Sequence, residues 1–175
     1  MSYIVRVDDR LIHGQVVEGW IKPLRITTIV VASDSVYCDL MQKALFELSV
    51  PPSVTLKCCS LALTAEDLAR GAYDKGSTLI LVASLRDLVA LIEQVQSRVP
   101  GASIPPVNIG GLRHSGGKKQ VYRALCLDES DLRIIRRLLD RGVVLEYYLL
   151  PNENRLDLGQ RMVELENTVL HREEA

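Results

Sequence analysis

YIVRVDDRLIHGQVVEGW, Tyr3–Trp20, decides how the chain folds. Its first residues, Tyr3–Val7, form a short, mostly apolar run that reads as a strand. A polar loop, Asp8–His13, follows, and Gln15–Trp20 then reads as helix. The same succession recurs downstream. Apolar runs at Ile26–Ala32 (ITTIVVA), Val54–Cys58, Ser77–Val82, Val107–Ile109, Gln120–Leu125 and Val143–Leu149 read as strands. Between most of them lie segments with apolar residues three and four apart. Leu40, Ala44, Leu45 and Leu48 form one such stripe. Leu85, Leu88, Leu91, Ile92 and Val95 form a second, and Leu132, Ile135, Leu138 and Leu139 a third. Ser84 with Asp87, and Asp128 with Asp131, have the spacing of a capping box, and Gly142 suits the residue past a helix end. The segment after Pro151, through Leu156 and Met162 to Leu165, is predicted as a last helix.

Strand and helix alternating through short links imply an α/β fold. The expected form is one open, mostly parallel sheet of about seven strands with helices on both faces. The near-continuous apolar strands fit a sheet covered on both sides. Val107–Leu127 departs from the pattern. Two strand-like runs are joined there by GGLRHSGGKK, Gly110–Lys119, with no helix between, so one strand is expected antiparallel or at an edge. No repeat or linker divides the chain. A single domain over 1–165 with a polar tail at 166–175 is expected.

The 175 residues are 47% apolar, enough for a substantial core, and the formal net charge is -1. That balance argues against a general nucleic-acid binder, which shows a basic excess. No apolar run approaches the ~18 residues of a membrane span, and the chain opens on a strand rather than a secretory signal. Cys38, Cys58, Cys59 and Cys126 have no C-x-x-C or zinc spacing, and the first loop has neither G-x-G-x-x-G nor G-x-x-x-x-G-K-[ST]; neither a metal nor an organic cofactor is expected. Scattered thiols suit a reducing cytosol.

Ligands of open parallel sheets gather at the carboxyl ends of the strands. The first such end carries Asp8, Asp9, Arg10 and His13. These residue types suit one task, holding a phosphoryl group. A neutral imidazole is a nucleophile near pH 7. A carboxylate on its other nitrogen fixes the tautomer. A guanidinium matches phosphate oxygens, and a helix start adds N–H donors. His13 is the candidate nucleophile and Arg10 the candidate clamp. Asp8 or Asp9 would orient the ring or Arg10. Gly14 and Gln15 open the helix, with Gly14 free to relax the backbone. Ser33, Ser84, Gly110 and Gly111 stand at other strand ends and are candidates to line the site, Ser84 better read as a helix cap. His114 sits in a Gly-rich loop without a nearby carboxylate in sequence and ranks below His13, and His171 lies in the polar tail. Trp20 is expected to pack the first helix on the sheet.

The run RVDDRLIHGQV, Arg6–Val16, resembles the phosphorylation-site signature of the IIB subunits of the mannose/fructose/sorbose phosphotransferase family. The resemblance continues in Trp20, in NIGGLR at Asn108–Arg113 and in DESDL at Asp128–Leu132. It departs in the loop at 113–117, where RHSGG stands in place of the family's aromatic and acidic residues. The resemblance implies that the histidine takes phosphate from a phosphohistidine on the IIA protein. It also implies delivery to a sugar of the mannose, fructose, sorbose or amino-sugar class entering through the membrane subunits IIC and IID. A cytoplasmic protein held at the inner membrane face by its partners would follow. The alternative is a phosphorylation-dependent relay with no permease of its own, which the absence of neighbouring IIC and IID genes would favour. Neither the sugar nor the oligomeric state is written in the sequence.

Overall fold

The structure, a computed structural model, describes residues 3–170 apart from 75 and 114. His114, His171 and the end of the tail lie outside the described residues. Seven strands form one sheet in the order β3-β2-β4-β1-β5-β8-β9. They are β1 (Tyr3–Asp8), β2 (Thr28–Ala32), β3 (Thr55–Cys59), β4 (Thr78–Val82), β5 (Val107–Gly111), β8 (Leu145–Tyr147) and β9 (Leu156–Asp157). All neighbours run parallel except β8 and β9. β4, the most continuously apolar strand, is buried at every residue.

Helices cover both faces. On one, α1 (Gly14–Leu24), α2 (Asp34–Cys38) and α3 (Leu40–Ser49) pack Val16, Trp20, Val36 and Phe46 against Ile29, Val31, Leu79 and Leu81. On the other, α4 (Leu61–Ala69), α5 (Leu85–Arg98), α6 (Glu129–Asp140) and α7 (Met162–Leu170) enclose Val5, Val7, Ile80, Val82, Val107 and Ile109. The odd and even residues of each strand divide between these two cores, as a period of two requires. Side chains set the helix starts. Ser84 caps α5, and Asp128 with Asp131 closes a reciprocal capping box on α6.

Four expectations are corrected. Gln120–Leu125 is not one strand. β6 (Lys119–Tyr122) and β7 (Leu125–Leu127) form a separate antiparallel ribbon turning at Arg123 and Ala124. Its tip is pinned where the Ala124 N–H donates to the Tyr147 hydroxyl. The main sheet's antiparallel strand is therefore β9, in a stretch predicted as helix. There the Asp157 carboxylate accepts from the N–H of Gly159 and Gln160, turning the chain before α7 can start. α7 then runs past residue 165, where the tail was expected to begin. The stripe on α3 lies on a helix, but it faces outward: Leu40 is 80% and Leu48 86% exposed, and Phe46 is the buried residue.

β1 is central, with β4 on one side and β5 on the other. The chain leaves β1 through α1 on one face and reaches β5 from α5 on the other. At the carboxyl edge the Asp9 N–H donates to the Gly111 carbonyl at 3.0 Å and ties the loops after β1 and β5, with open clefts on either side.

Candidate active site

β1 ends on a turn. The Leu11 N–H donates to the Asp8 carbonyl at 2.9 Å, and the Arg10 N–H to Asp8 Oδ1 at 3.2 Å. A short carboxylate reaching two residues ahead stabilises such a turn. The backbone freedom expected of Gly14 is used instead by Leu11, at φ 54°. That left-handed conformation costs a non-glycine residue about 1–2 kcal/mol. The buried Leu11 side chain, in the core beneath α1, offsets it. The turn delivers His13 to the N-cap position of α1 with extended backbone. The His13 carbonyl accepts the first helical bond, and its ring makes no cap bond, leaving first-turn N–H groups to serve an anion.

Asp8 is the hub. Its side chain is fully buried, yet it meets three cationic or ring groups. Oδ2 lies 3.1 Å from His13 Nε2 and 2.8 Å from Arg6 Nη2. Oδ1 accepts from Arg10 Nε at 3.2 Å. Burial alone would push the carboxyl up. The hydrogen bond with His13 and the Arg6 charge outweigh it and hold Asp8 well below the usual carboxylate range. An ionised Asp8 accepts only, so His13 Nε2 carries the proton and Nδ1 presents its lone pair. The His13 side chain is 16% exposed.

Arg10 also donates from Nη2 to Gln15 Oε1 at 3.3 Å. Gly111 stands close by, since a Cβ there would sit 3.6 Å from Arg10 Nη2. The structure thus brings Asp8, Arg10, His13, Gln15 and Gly111 together. Asp9, with which Asp8 shared the orienting role in the sequence reading, turns elsewhere. Its carboxylate accepts from the backbone N–H and Nε of Arg113, clasping the β1 loop to the loop after β5. Gly14 is exposed with open space around it. Ser33 is buried as the cap of α2. Ser84 caps α5 and donates to Asp87.

Two open clefts flank the Asp9–Arg113 clasp. One, of about 540 Å³, is lined by Arg10, Gln15, Gly111, Arg113 and Arg123. The other, of about 500 Å³, runs past Arg10, Ser33, Gln42 and Phe46. Ser84 borders a further recess that shares Asp9 and Arg113. Among the described residues no group of three His, Cys, Asp or Glu side chains is placed to hold a metal ion, and no helix is long and apolar enough to cross a membrane.

Two residues escaped the sequence reading. Arg6 is wholly buried, donating to Asp8, to Asn108 Oδ1 and to the Leu149 carbonyl, with its guanidinium 4.7 Å from the Trp20 ring centroid. Asn108, buried beside it on β5, donates onward to the Tyr148 carbonyl. Gly110 makes this possible. β1 and β5 slip register between Val7 and Asp8, and a Cβ on Gly110 would lie 1.9 Å from Arg6 Cζ. The available signal was parity: Arg6 and Asp8, two apart on a strand, share a face.

Residues 2–174 match the family described as PTS system sorbose subfamily IIB component. The chain is 32% identical over 157 residues to the PTS system fructose-specific EIIB component of Bacillus subtilis (strain 168), covering 90% of this chain and 93% of that protein. It is 32% identical over 155 residues to the mannose-specific EIIAB component of Escherichia coli (strain K12). It covers 46% of that protein, so the chain spans about half the length of this relative. Among solved structures, the IIBSor domain of the sorbose permease from Klebsiella pneumoniae superposes with a TM-score of 0.80 at 28% identity. That match covers 94% of this chain and 98% of the domain.

Proposed function

From the premise that the chain belongs to the sorbose-subfamily IIB components of the sugar phosphotransferase system, we propose that His13 is its phosphoryl carrier, accepting at Nδ1. The observation that carries this reading is the 3.1 Å contact between His13 Nε2 and a buried, ionised Asp8. It commits Nε2 to the proton and leaves Nδ1 as the nucleophile. The Nδ1–P bond forms as the N–P bond of the donor phosphohistidine breaks, and the donor nitrogen keeps the electron pair. The ring becomes cationic, the phosphoryl oxygens it now carries offset that charge, and Asp8 keeps its bond to Nε2–H without taking the proton. Arg10 and the first-turn amides of α1 stabilise the transferring oxygens, since phosphoryl transfer asks mainly for position and charge.

The donor is the IIA protein. Support comes from the E. coli relative, whose name joins A and B components in one chain. The acceptor is a sugar presented by the membrane subunits IIC and IID, which places the protein at the cytoplasmic membrane face. The clefts are open and lined by arginines, which suits a partner's anion better than a neutral sugar held in a deep pocket.

Incubation with phosphorylated IIA tests the reading. His13→Ala should abolish labelling, and His114→Ala and His171→Ala should retain it. The adduct should be lost in acid and persist in mild base. Labelling that survives without His13, or an acid-stable adduct, overturns the assignment.

A further inference from the structure

We infer that Arg6 is a positioning residue for this transfer: its buried charge offsets that of Asp8, so that His13 faces a paired carboxylate rather than an unpaired one and keeps its Nδ1 lone pair for attack. The inference rests on the reading of His13 as phosphoryl acceptor.

Arg6 and Asp8 side chains are both 0% exposed. A buried ion pair is a poor way to stabilise a fold, because apolar residues of similar volume usually serve as well or better. Here the chain goes further to keep it. Gly110 leaves out a side chain so that the guanidinium fits. Asn108, the Leu149 carbonyl and the Trp20 ring surround it, and among the described residues Nε finds no acceptor. The shared atom shows what the pair serves. Asp8 Oδ2 lies 2.8 Å from Arg6 and 3.1 Å from His13 Nε2.

The sign follows from charge. With Arg6 present, protonating His13 takes the Arg6–Asp8–His13 group from neutral to a net positive charge. Without it, only the partly exposed Arg10 offsets the buried carboxylate, and the same proton is held more tightly. Removing the Arg6 charge therefore favours the imidazolium, which has no lone pair to attack phosphorus. The other facing groups do not substitute. Arg10 is 34% exposed, so water screens it. Tyr148, from the segment after β8, is kept neutral by burial, which pushes its phenol up. Trp20 from α1 and Asn108 from β5 are uncharged, and Asp9 pairs with Arg113.

The test measures phosphate acceptance from phosphorylated IIA between pH 5.5 and 9.5. In Arg6→Gln the rise of rate with pH should move up by about one unit or more, from a unit charge at this range in a partly buried site. Rate should recover at alkaline pH. Arg6→Lys should keep the wild-type profile. Arg6→Gln with Asp8→Asn, which removes both buried charges together, should fold and lose the alkaline shift. A profile unmoved in Arg6→Gln overturns the inference and leaves Arg6 a structural residue. If Arg6→Gln does not fold, 15N NMR of wild-type His13 decides. A neutral ring protonated at Nε2 at pH 7 supports the inference, and an imidazolium there overturns it. Labelling that does not need His13 would fail the parent reading instead. Labelling that needs His13 with an unmoved profile fails Arg6 alone.

Discussion

Replacing Gly110 by alanine adds one methyl group where there is no room for it. The new Cβ would lie 1.9 Å from Arg6 Cζ and 2.1 and 2.3 Å from its terminal nitrogens, against a floor of 3.0 Å for real contacts. The guanidinium must retreat by roughly 1.5 Å or more to reach ordinary van der Waals separation. It cannot do so and keep its bonds to Asp8, Asn108 and Leu149. Losing a buried ion pair with both charges still inside costs on the order of 3–5 kcal/mol. At ~2–4 °C per kcal/mol for a chain of this size, Tm should fall by roughly 6–20 °C. Two neighbouring glycines are controls. Gly111→Ala meets nothing nearer than 3.6 Å, and Gly14→Ala meets nothing within 4 Å at a helix start. The first should be near neutral, and the second neutral to stabilising by up to about 1 kcal/mol. Urea unfolding with a common m-value, beside thermal melts, measures all three. A Gly110→Ala protein within about 1 kcal/mol of wild type would refute the account of Arg6 as locked in place.

Arg10→Ala should slow phosphate acceptance by roughly 100-fold or more, the scale of losing one preorganised donor, and Arg10→Lys should recover only part of it because a point charge lacks the fork; quench-flow labelling with phosphorylated IIA reads both, and an unchanged rate would move the clamp to another residue. The depressed Asp8 carboxyl gives stability that is fully present above its unfolded value of about 3.9 and is lost as pH falls below it toward the folded value. Acid denaturation curves should therefore show a shallower loss between about pH 4 and pH 2 in Asp8→Asn than in wild type, though the variant starts from lower stability.

The site was legible where its parts are contiguous. Asp8, Asp9, Arg10 and His13 lie in one loop, and a strand followed by a helix fixes which end of the sheet they occupy. The choice between Asp8 and Asp9 was not legible as a matter of composition. It depends on which carboxylate continues the inward face of β1, and on Arg113, a residue 104 positions from Asp9 that takes the other one. Arg6 was hidden for a related reason. An arginine in an apolar strand looks like an outward residue until Gly110 and Asn108 are brought across from β5. Periodicity read α5 and α6 well because their stripes really are buried. On α3 the same pattern pointed outward, since periodicity reports that a face is apolar and not what covers it. β9 is two residues long, too short for any period, and only its pairing with β8 defines it.

The indole of Trp20, the chain's one tryptophan, turns the buried layer under the site into something visible from outside. Its Nε1 donates at 3.0 Å to the same Leu149 carbonyl that accepts from Arg6, and its ring is stacked 5.7 Å from Tyr148. No second tryptophan contributes background to the emission. The ring is shielded from aqueous quenchers and sits beside a fixed cation, whose displacement changes both its electric field and its hydrogen bond. Ultraviolet fluorescence of the unlabelled protein thus becomes an optical gauge of charge beneath His13, usable in stopped flow on the timescale of a single phosphorylation event.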